Sequence, residues 1–198
     1  MIKTILFDAD GVVLIAEPFS SQLAHQYNLP PQAINEFFNN DFLDCLIDTK
    51  DLQEELAKRA SHWGWRGSSE QLLNYWFAQE NKIETGLVDY IKDLRAEGYT
   101  CYCATNQEKY RTVFVREKMG FDTIFNGIFS SSTLGFRKPD PRFFETVLNQ
   151  LQIKNPQEIL FWDDKLENIQ AARSSGIQAE LYTAFQDFKL KMVPYLFH

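Results

Sequence analysis

The stretch Ile5-Leu6-Phe7-Asp8-Ala9-Asp10-Gly11-Val12 begins as a buried strand and ends in two acids and a glycine. The apolar run over residues 2–7 predicts the strand, and strand interiors disfavour Asp and Gly, so Asp8 marks its carboxyl end. Ligands bind at that edge of open α/β sheets. Two carboxylates one residue apart, beside a glycine that permits close backbone approach, suit a divalent-cation site with a carboxylate nucleophile. An acidic strand-to-loop turn without a ligand explains the same residues.

The composition favours a folded protein with a substantial core. The 198 residues suit one domain, or one domain carrying an insertion, and 44% are hydrophobic. A net charge of −7 without a Lys/Arg cluster argues against a nucleic-acid partner. No stretch approaches the ~20 apolar residues of a membrane span. The three cysteines lack metal-ligand spacing, and no secretory signal precedes them, which predicts reduced thiols and a cytoplasmic location. The oligomeric state is left open.

Three further strand-like runs end on polar residues. Residues 99–104 precede Thr105 and Asn106, residues 159–162 precede Asp163 and Asp164, and residues 128–129 precede a run of three serines. Residues 177–182 resemble a last strand, and helical patterns at 85–97, 108–119, 141–151 and 165–174 separate the runs. Strands that alternate with helices predict an α/β fold, a Rossmann-like parallel sheet core with right-handed crossovers and flanking helices.

Residues 16–80 interrupt this alternation. They contain helical patterns at 20–27, 31–39, 49–63 and 68–79, the last of which opens with a capping box at 68–71. The pattern predicts a small all-helical cap inserted after the first strand, with the α/β core at 1–15 and 81–198. A lid that excludes water and selects substrate is our interpretation of the cap. A structural subdomain or a dimer surface is the alternative.

The cap is also rich in aromatic residues. We predict that most of them belong to its core rather than to a substrate platform: Phe37, Phe38, Phe42, Trp63 and Trp65. The histidines His25, His62 and His198 lie outside the acidic segments and are assigned no catalytic role.

Four separated segments converge at the predicted sheet edge. They are Asp8 to Gly11, Thr105-Asn106, Arg137 to Asp140, and Asp163-Asp164 with Asn168. Gathering these carboxylates without a counter-charge costs several kcal/mol in repulsion. Mg²⁺, which accepts a few carboxylates together with waters and phosphate, and Lys138 would supply that charge. Structural roles remain open for each segment, since Thr105, Asn106 and Asp163 also suit helix caps and Lys138 also suits a solvated loop.

In order, the segments read DADGV, ATN, RKPD and WDDKLEN, and together they resemble the haloacid dehalogenase superfamily. That family has DxD at the end of the first strand, Ser or Thr at the end of the second, a downstream Lys and an acidic pair. The resemblance spans nearly the whole chain and extends to members with a helical cap after the first motif.

The resemblance implies a role for each matching residue. Asp8 would be the nucleophile that forms an aspartyl-phosphate, and it would also touch Mg²⁺. Asp10 would be the general acid and base, with its backbone carbonyl as a further metal ligand. The other implied roles are phosphate binding by Thr105, Asn106 and Lys138, Mg²⁺ ligation by Asp163 and Asp164, and support of the loop by Asn168.

Asp10 separates the activities within the family. Members that displace halide or cleave carbon–phosphorus bonds lack an acid at this position, so the resemblance implies a Mg²⁺-dependent phosphatase. The implied partner is a small-molecule phosphate ester, and a sugar phosphate is our expectation because the cap is small. A phosphomutase shares all four motifs and is the first alternative. A non-catalytic binding protein on the same fold is the second.

Overall fold

Parallel strands form one five-stranded sheet in the computed structural model, which describes residues 1–196 apart from the side chain of residue 31. His198, considered above, lies outside the described residues. The strands are β1 (Thr4–Phe7), β2 (Thr100–Thr105), β3 (Gly127–Ser130), β4 (Ile159–Asp163) and β5 (Gln178–Leu181). Their order is β3-β2-β1-β4-β5, so β1 is central and Phe7 pairs with both Cys103 and Trp162. The predicted α/β fold with a parallel sheet is confirmed.

All the regular secondary structure within residues 16–80 is helical. The helices are α1 (Phe19–Gln26), α2 (Pro31–Asn39), α3 (Asp41–Cys45), α4 (Leu52–Arg59) and α5 (Ser69–Gln79). We call this range the helical segment. The predicted capping box is present at α5, where Ser68 Oγ accepts from Gln71 N–H and Gln71 Oε1 accepts from Ser68 N–H. The short helix α3 has no counterpart in the sequence-based prediction.

The remaining helices lie between and after the strands. They are α6 (Thr85–Ala96), α7 (Lys109–Glu117), α8 (Phe121–Ile124), α9 (Ser131–Leu134), α10 (Pro141–Leu151), α11 (Leu166–Ser174) and α12 (Phe185–Met192). The sequence predicts α6, α7, α10 and α11 and misses α8, α9 and α12. Among residues 1–196, no helix combines the length and apolar character needed to cross a bilayer.

Alternate side chains of β1 supply the two faces of the sheet, as the two-residue period of a strand requires. Ile5 and Phe7 pack in one hydrophobic cluster with α6 and α12, including Phe188, whereas Leu6 packs in a second cluster with α10 and α11, including Phe144. All three cysteines are buried and free, and Cys101 and Cys103 lie in the first cluster. The predicted core position of these two residues is confirmed.

The helical segment has a third hydrophobic cluster of its own, built largely from aromatic rings. Phe37 and Trp63 are buried in it, as predicted. Phe38 and Phe42 are only half-buried. The division into a core at 1–15 and 81–198 and a cap at 16–80 remains a prediction, with which the separate cluster is consistent.

Candidate active site

Asp8 lies at the carboxyl end of the central strand. Its backbone N–H donates to Trp162 O at 2.9 Å, so the ladder between β1 and β4 continues to this residue. Its Oδ1 accepts from Ala9 N–H at 2.7 Å and lies 2.8 Å from Lys138 Nζ. The backbone therefore fixes one oxygen of a nearly buried carboxylate, and a cation contacts the same oxygen.

Lys138 joins two of the acids. Its side chain is 1% exposed, and its Nζ lies 2.8 Å from Asp8 Oδ1 and 2.6 Å from Asp163 Oδ2. The Asn106 side chain holds the lysine backbone from both sides, since Nδ2 donates to Lys138 O and Oδ1 accepts from Lys138 N–H, each at 2.8 Å. Lys138 is thus a fixed, buried cation rather than a solvated loop residue.

Asp163 has its hydrogen-bonding capacity filled. Oδ1 accepts from Lys165 N–H at 2.8 Å, Oδ2 accepts from Lys138 Nζ at 2.6 Å, and Asn168 Nδ2 lies 2.9 Å from each oxygen. A carboxylate has about four lone-pair sites, and each Asp163 oxygen already has two donors. Asp164, the next residue, is exposed.

Gly11 brings the loops after β1 and β4 together. Its φ is +81°, a conformation that residues with a Cβ rarely adopt. A Cβ at this position would lie 2.3 Å from Asp164 Oδ2. The glycine therefore allows the Asp164 carboxylate to pack directly against the DADG loop.

These contacts gather three carboxylates. Oxygen atoms of Asp8, Asp163 and Asp164 all lie within 4.8 Å of one another. Burial raises the pKa of the Asp8 carboxyl, an effect that Lys138 opposes and Asp163 reinforces. Burial also raises the pKa of Asp164, again with repulsion from Asp163. The cluster holds more negative charge than Lys138 balances, and its oxygen donors suit a hard divalent cation such as Mg²⁺.

The other sequence-predicted phosphate ligand is Thr105, at the end of β2. Its Oγ1 is buried and has no hydrogen-bond partner among the described residues. Buried hydroxyls are almost always paired, so this one is available to a bound group. The structure thus brings Asp8, Lys138 and Asp163 into contact and leaves Thr105 with unused hydrogen-bonding capacity. The phosphate binding implied for Asn106 and the backbone metal ligation implied for Asp10 stay predictions.

Asp10 lines a cavity beside this cluster. Its Oδ2 accepts a hydrogen bond from Gln107 Nε2. Desolvation raises the pKa of Asp10, whereas the Arg111 guanidinium lowers it. A carboxyl with a raised pKa, held in one orientation, suits proton transfer to and from a substrate.

The cavity, of about 420 Å³, lies between the sheet edge and the helical segment. The α/β part contributes Asp10, Asp164 and Lys165 to its lining, among others. Helical-segment residues on the opposite side include Phe19, Phe38, Phe42, Trp76 and Glu80. Phe38 and Phe42 pack against the hydrophobic cluster of the cap, as predicted, and both rings also line the cavity.

Sequence reasoning missed three polar residues near the site. Gln107 directly follows Thr105-Asn106, so its place at the end of β2 was a usable signal. Glu80 and Arg111 gave none, because each is a single charged residue at the end or on the face of a helix. Arg111 is 2% exposed, and its guanidinium donates to Phe77 O and Glu80 O.

Comparisons with known proteins agree with this geometry. The haloacid dehalogenase-like hydrolase family model matches residues 2–176. A phosphoglycolate phosphatase of Thiobacillus denitrificans is 33% identical over 198 residues, which cover 88% of this chain and 80% of that protein. A sesquiterpene phosphatase of Aspergillus oryzae is 36% identical over 91 residues, or 46% of each chain. The chain thus spans less than half of that relative, and it spans 11% of a drimenol cyclase of Aspergillus calidoustus.

Solved structures show the same fold. A HAD family enzyme of Bacteroides thetaiotaomicron, in complex with magnesium and inorganic phosphate, superposes with a TM-score of 0.80 at 24% identity. The alignment covers 96% of this chain and 99% of that one.

Proposed function

This chain belongs to the haloacid dehalogenase-like hydrolase family, and we propose that it is a Mg²⁺-dependent phosphatase that hydrolyses a small phosphate ester. The observation that carries the proposal is the group of three carboxylates within 4.8 Å, two of them in contact with buried Lys138. A purely structural acidic turn does not need a buried lysine across from it. Relatives with phosphatase names support the same reaction class.

The residues present fit a bound Mg²⁺. We assign Asp8 and Asp164 as side-chain ligands, and the Asp10 carbonyl as the backbone ligand implied by the family resemblance. The four hydrogen bonds to Asp163 make it a weaker candidate for direct ligation than the sequence-based prediction holds. Asp163 would instead orient Lys138 and the loop, together with Asn168. When bound, the metal supplies positive charge beside the phosphoryl oxygens.

The protein residues would carry out two displacements at phosphorus. In the first, an Asp8 carboxylate oxygen forms a bond to phosphorus, the ester P–O bond breaks, and Asp10 gives its proton to the leaving alcohol oxygen. In the second, water attacks the phosphorus, its proton goes to Asp10, and the bond from phosphorus to Asp8 breaks to release phosphate. Lys138 and the Thr105 hydroxyl would stabilise the charge on the transferring group.

The activity test uses p-nitrophenyl phosphate with Mg²⁺. We expect hydrolysis that EDTA abolishes and Mg²⁺ restores, and a loss of at least about 10³-fold in kcat for Asp8→Asn. Asp89→Asn, at an exposed acid of α6 outside the motifs, is the matched control and should retain wild-type rates. A fully active Asp8→Asn protein would contradict the aspartyl-phosphate route.

The phosphomutase and the non-catalytic alternatives predict different outcomes. A mutase would transfer phosphate within a sugar and release little inorganic phosphate, and a binding protein would release none. The cytoplasmic location, the absence of a nucleic-acid partner and the sugar-phosphate substrate remain predictions from sequence.

A further inference from the structure

Building on the proposed phosphatase activity, we propose that the alcohol released by this enzyme is uncharged and largely apolar, in place of the sugar expected from sequence. The inference rests on the helical-segment side of the 420 Å³ cavity, because that side faces the part of the substrate beyond the phosphate. Three features of the lining support the inference: its aromatic rings, the hydrogen bonds that its polar side chains already make, and its charge.

Aromatic rings form a continuous wall. Phe19 stacks on Trp76 with ring centroids 5.0 Å apart and an interplanar angle of 14°. Phe38 and Phe42 pack edge-on or tilted against the same indole at 5.4 and 5.5 Å, and against each other at 5.1 Å. Rings that hold one another in this way form a rigid apolar surface, which favours an apolar partner.

Glu80, Asn106 and Gln107, three polar side chains of the lining, are hydrogen-bonded within the protein. Glu80 Oε1 accepts from Phe19 N–H at 2.6 Å, and Oε2 accepts from Trp76 Nε1–H at 2.7 Å. Asn106 is paired with the Lys138 backbone, and Gln107 donates to Asp10. Among the described lining residues, Ser20 supplies the one hydroxyl side chain. The several hydroxyl groups of a sugar would therefore lose water without gaining equivalent partners.

The charge of the lining disfavours a second anionic group on the substrate. Lys165 is the one cation among the described lining residues, and it lies beside Asp164 at the phosphate end. The helical-segment side carries the Glu80 carboxylate instead. A carboxylate or second phosphate on the alcohol would face that acid and an aromatic wall, so a phosphorylated hydroxy acid is also a poor fit.

A panel of substrates tests the inference, and its two main members release the same kind of leaving group. Naphthylmethyl phosphate and glucose 6-phosphate both release a primary alcohol, 2-phosphoglycolate adds a carboxylate, and acetyl phosphate is a small reference for the chemical step. With wild-type protein and Mg²⁺, we expect kcat/KM for naphthylmethyl phosphate to exceed that of glucose 6-phosphate and of 2-phosphoglycolate at least tenfold. Equal or higher values for either polar ester would overturn this inference and leave the proposed phosphatase intact. If no ester and no acetyl phosphate is hydrolysed, the proposed function fails and this inference fails with it.

Two variants test whether the aromatic wall is the cause. Phe42→Ala and the milder Phe38→Leu should both lower kcat/KM for naphthylmethyl phosphate relative to kcat/KM for acetyl phosphate. For Phe42→Ala we expect this ratio to fall about tenfold, mainly because KM for naphthylmethyl phosphate rises. Phe185→Leu is the matched control, because Phe185 is also half-buried but packs on Phe188 in the α/β part, outside the cavity lining. An unchanged ratio in both wall variants would overturn the role of these rings.

Discussion

At the residue scale, Gly11 connects the geometry of two loops. Its positive φ allows Gly11 N–H to donate to Leu14 O at 2.8 Å within the turn, and its missing side chain leaves the space that Asp164 occupies. The turn and the acid pair are therefore coupled through a position that carries no functional group. A side chain added at Gly11 would therefore displace Asp164 directly, rather than Asp8.

A comparison of Gly11→Ala with Gly135→Ala should separate the effect of backbone strain from the effect of displacing Asp164. We expect about 1–2 kcal/mol of lost stability from the left-handed conformation, together with weaker Mg²⁺ binding and a large loss of kcat. Gly135→Ala is the matched control, since Gly135 has φ +74° and nothing within 4 Å of an added Cβ. Denaturant unfolding and Mg²⁺ titration of activity measure the two effects. Equal activities in the two variants would show that the Asp164 contact is unimportant.

At the element scale, the N-terminus of α4 meets the N-terminus of α7. Asp51 caps α4 by accepting from Glu54 N–H at 3.1 Å, and its Oδ2 also accepts from Tyr110 OH at 2.7 Å and lies 3.0 Å from Lys109 Nζ. Burial acts to raise the pKa of Asp51, but the hydrogen bonds from Tyr110 and Lys109 outweigh it and lower the pKa to about 2. One carboxylate thus caps a helix of the helical segment and links it to the α/β part.

This link makes stability depend on pH in a defined direction. An acid whose folded pKa is lowered stabilises the protein above its unfolded pKa of about 4, and the contribution is lost as pH falls towards 2. Asp51→Asn, which keeps a good capping residue, should cost about 1–2 kcal/mol at pH 7 and progressively less below pH 4. Urea unfolding between pH 3 and 7 measures the difference. A cost that stays constant over this range would contradict the argument, and Asp89→Asn, at an exposed position of α6, is the control.

The elements also show how far sequence reasoning reaches. The strands and the acids at their ends were predictable, because an apolar run that stops at Asp8 or Asp163 is a local signal. Residues 131–134 and 121–124 form single helical turns, which are too short to show a period. The side of α3 that faces the cavity was not predictable either, because the direction of Phe42 depends on packing against Trp76, a residue of another helix. Which residues line the site is therefore determined by the contacts between helices and strands rather than by the helices and strands themselves.

At the scale of the whole molecule, Arg111 joins the two parts of the chain. It lies on α7 in the α/β part, and its guanidinium donates to Phe77 O at 3.0 Å and to Glu80 O, at the C-terminal end of α5. A cation is favourable at that end of a helix, and the planar guanidinium also lies 5.3 Å from the ring centroids of Phe77 and Phe114. Because Trp76 and Glu80 line the cavity beside this attachment, the position of the aromatic wall depends on it.

Arg111→Gln should therefore affect stability and catalysis together. Removing the buried cation leaves two carbonyls without their donor, and we expect a loss of about 2–4 kcal/mol in the free energy of unfolding. We also expect a higher KM for large esters than for acetyl phosphate, because the wall beside Glu80 loses its anchor while Asp8 and Lys138 keep theirs. Arg116→Gln, at an exposed position of the same helix, is the matched control and should change neither quantity. If Arg111→Gln lowered stability but raised KM equally for both substrates, the arginine would support the fold without positioning the wall. A variant with wild-type stability would show that Arg111 is not needed to hold the two parts together.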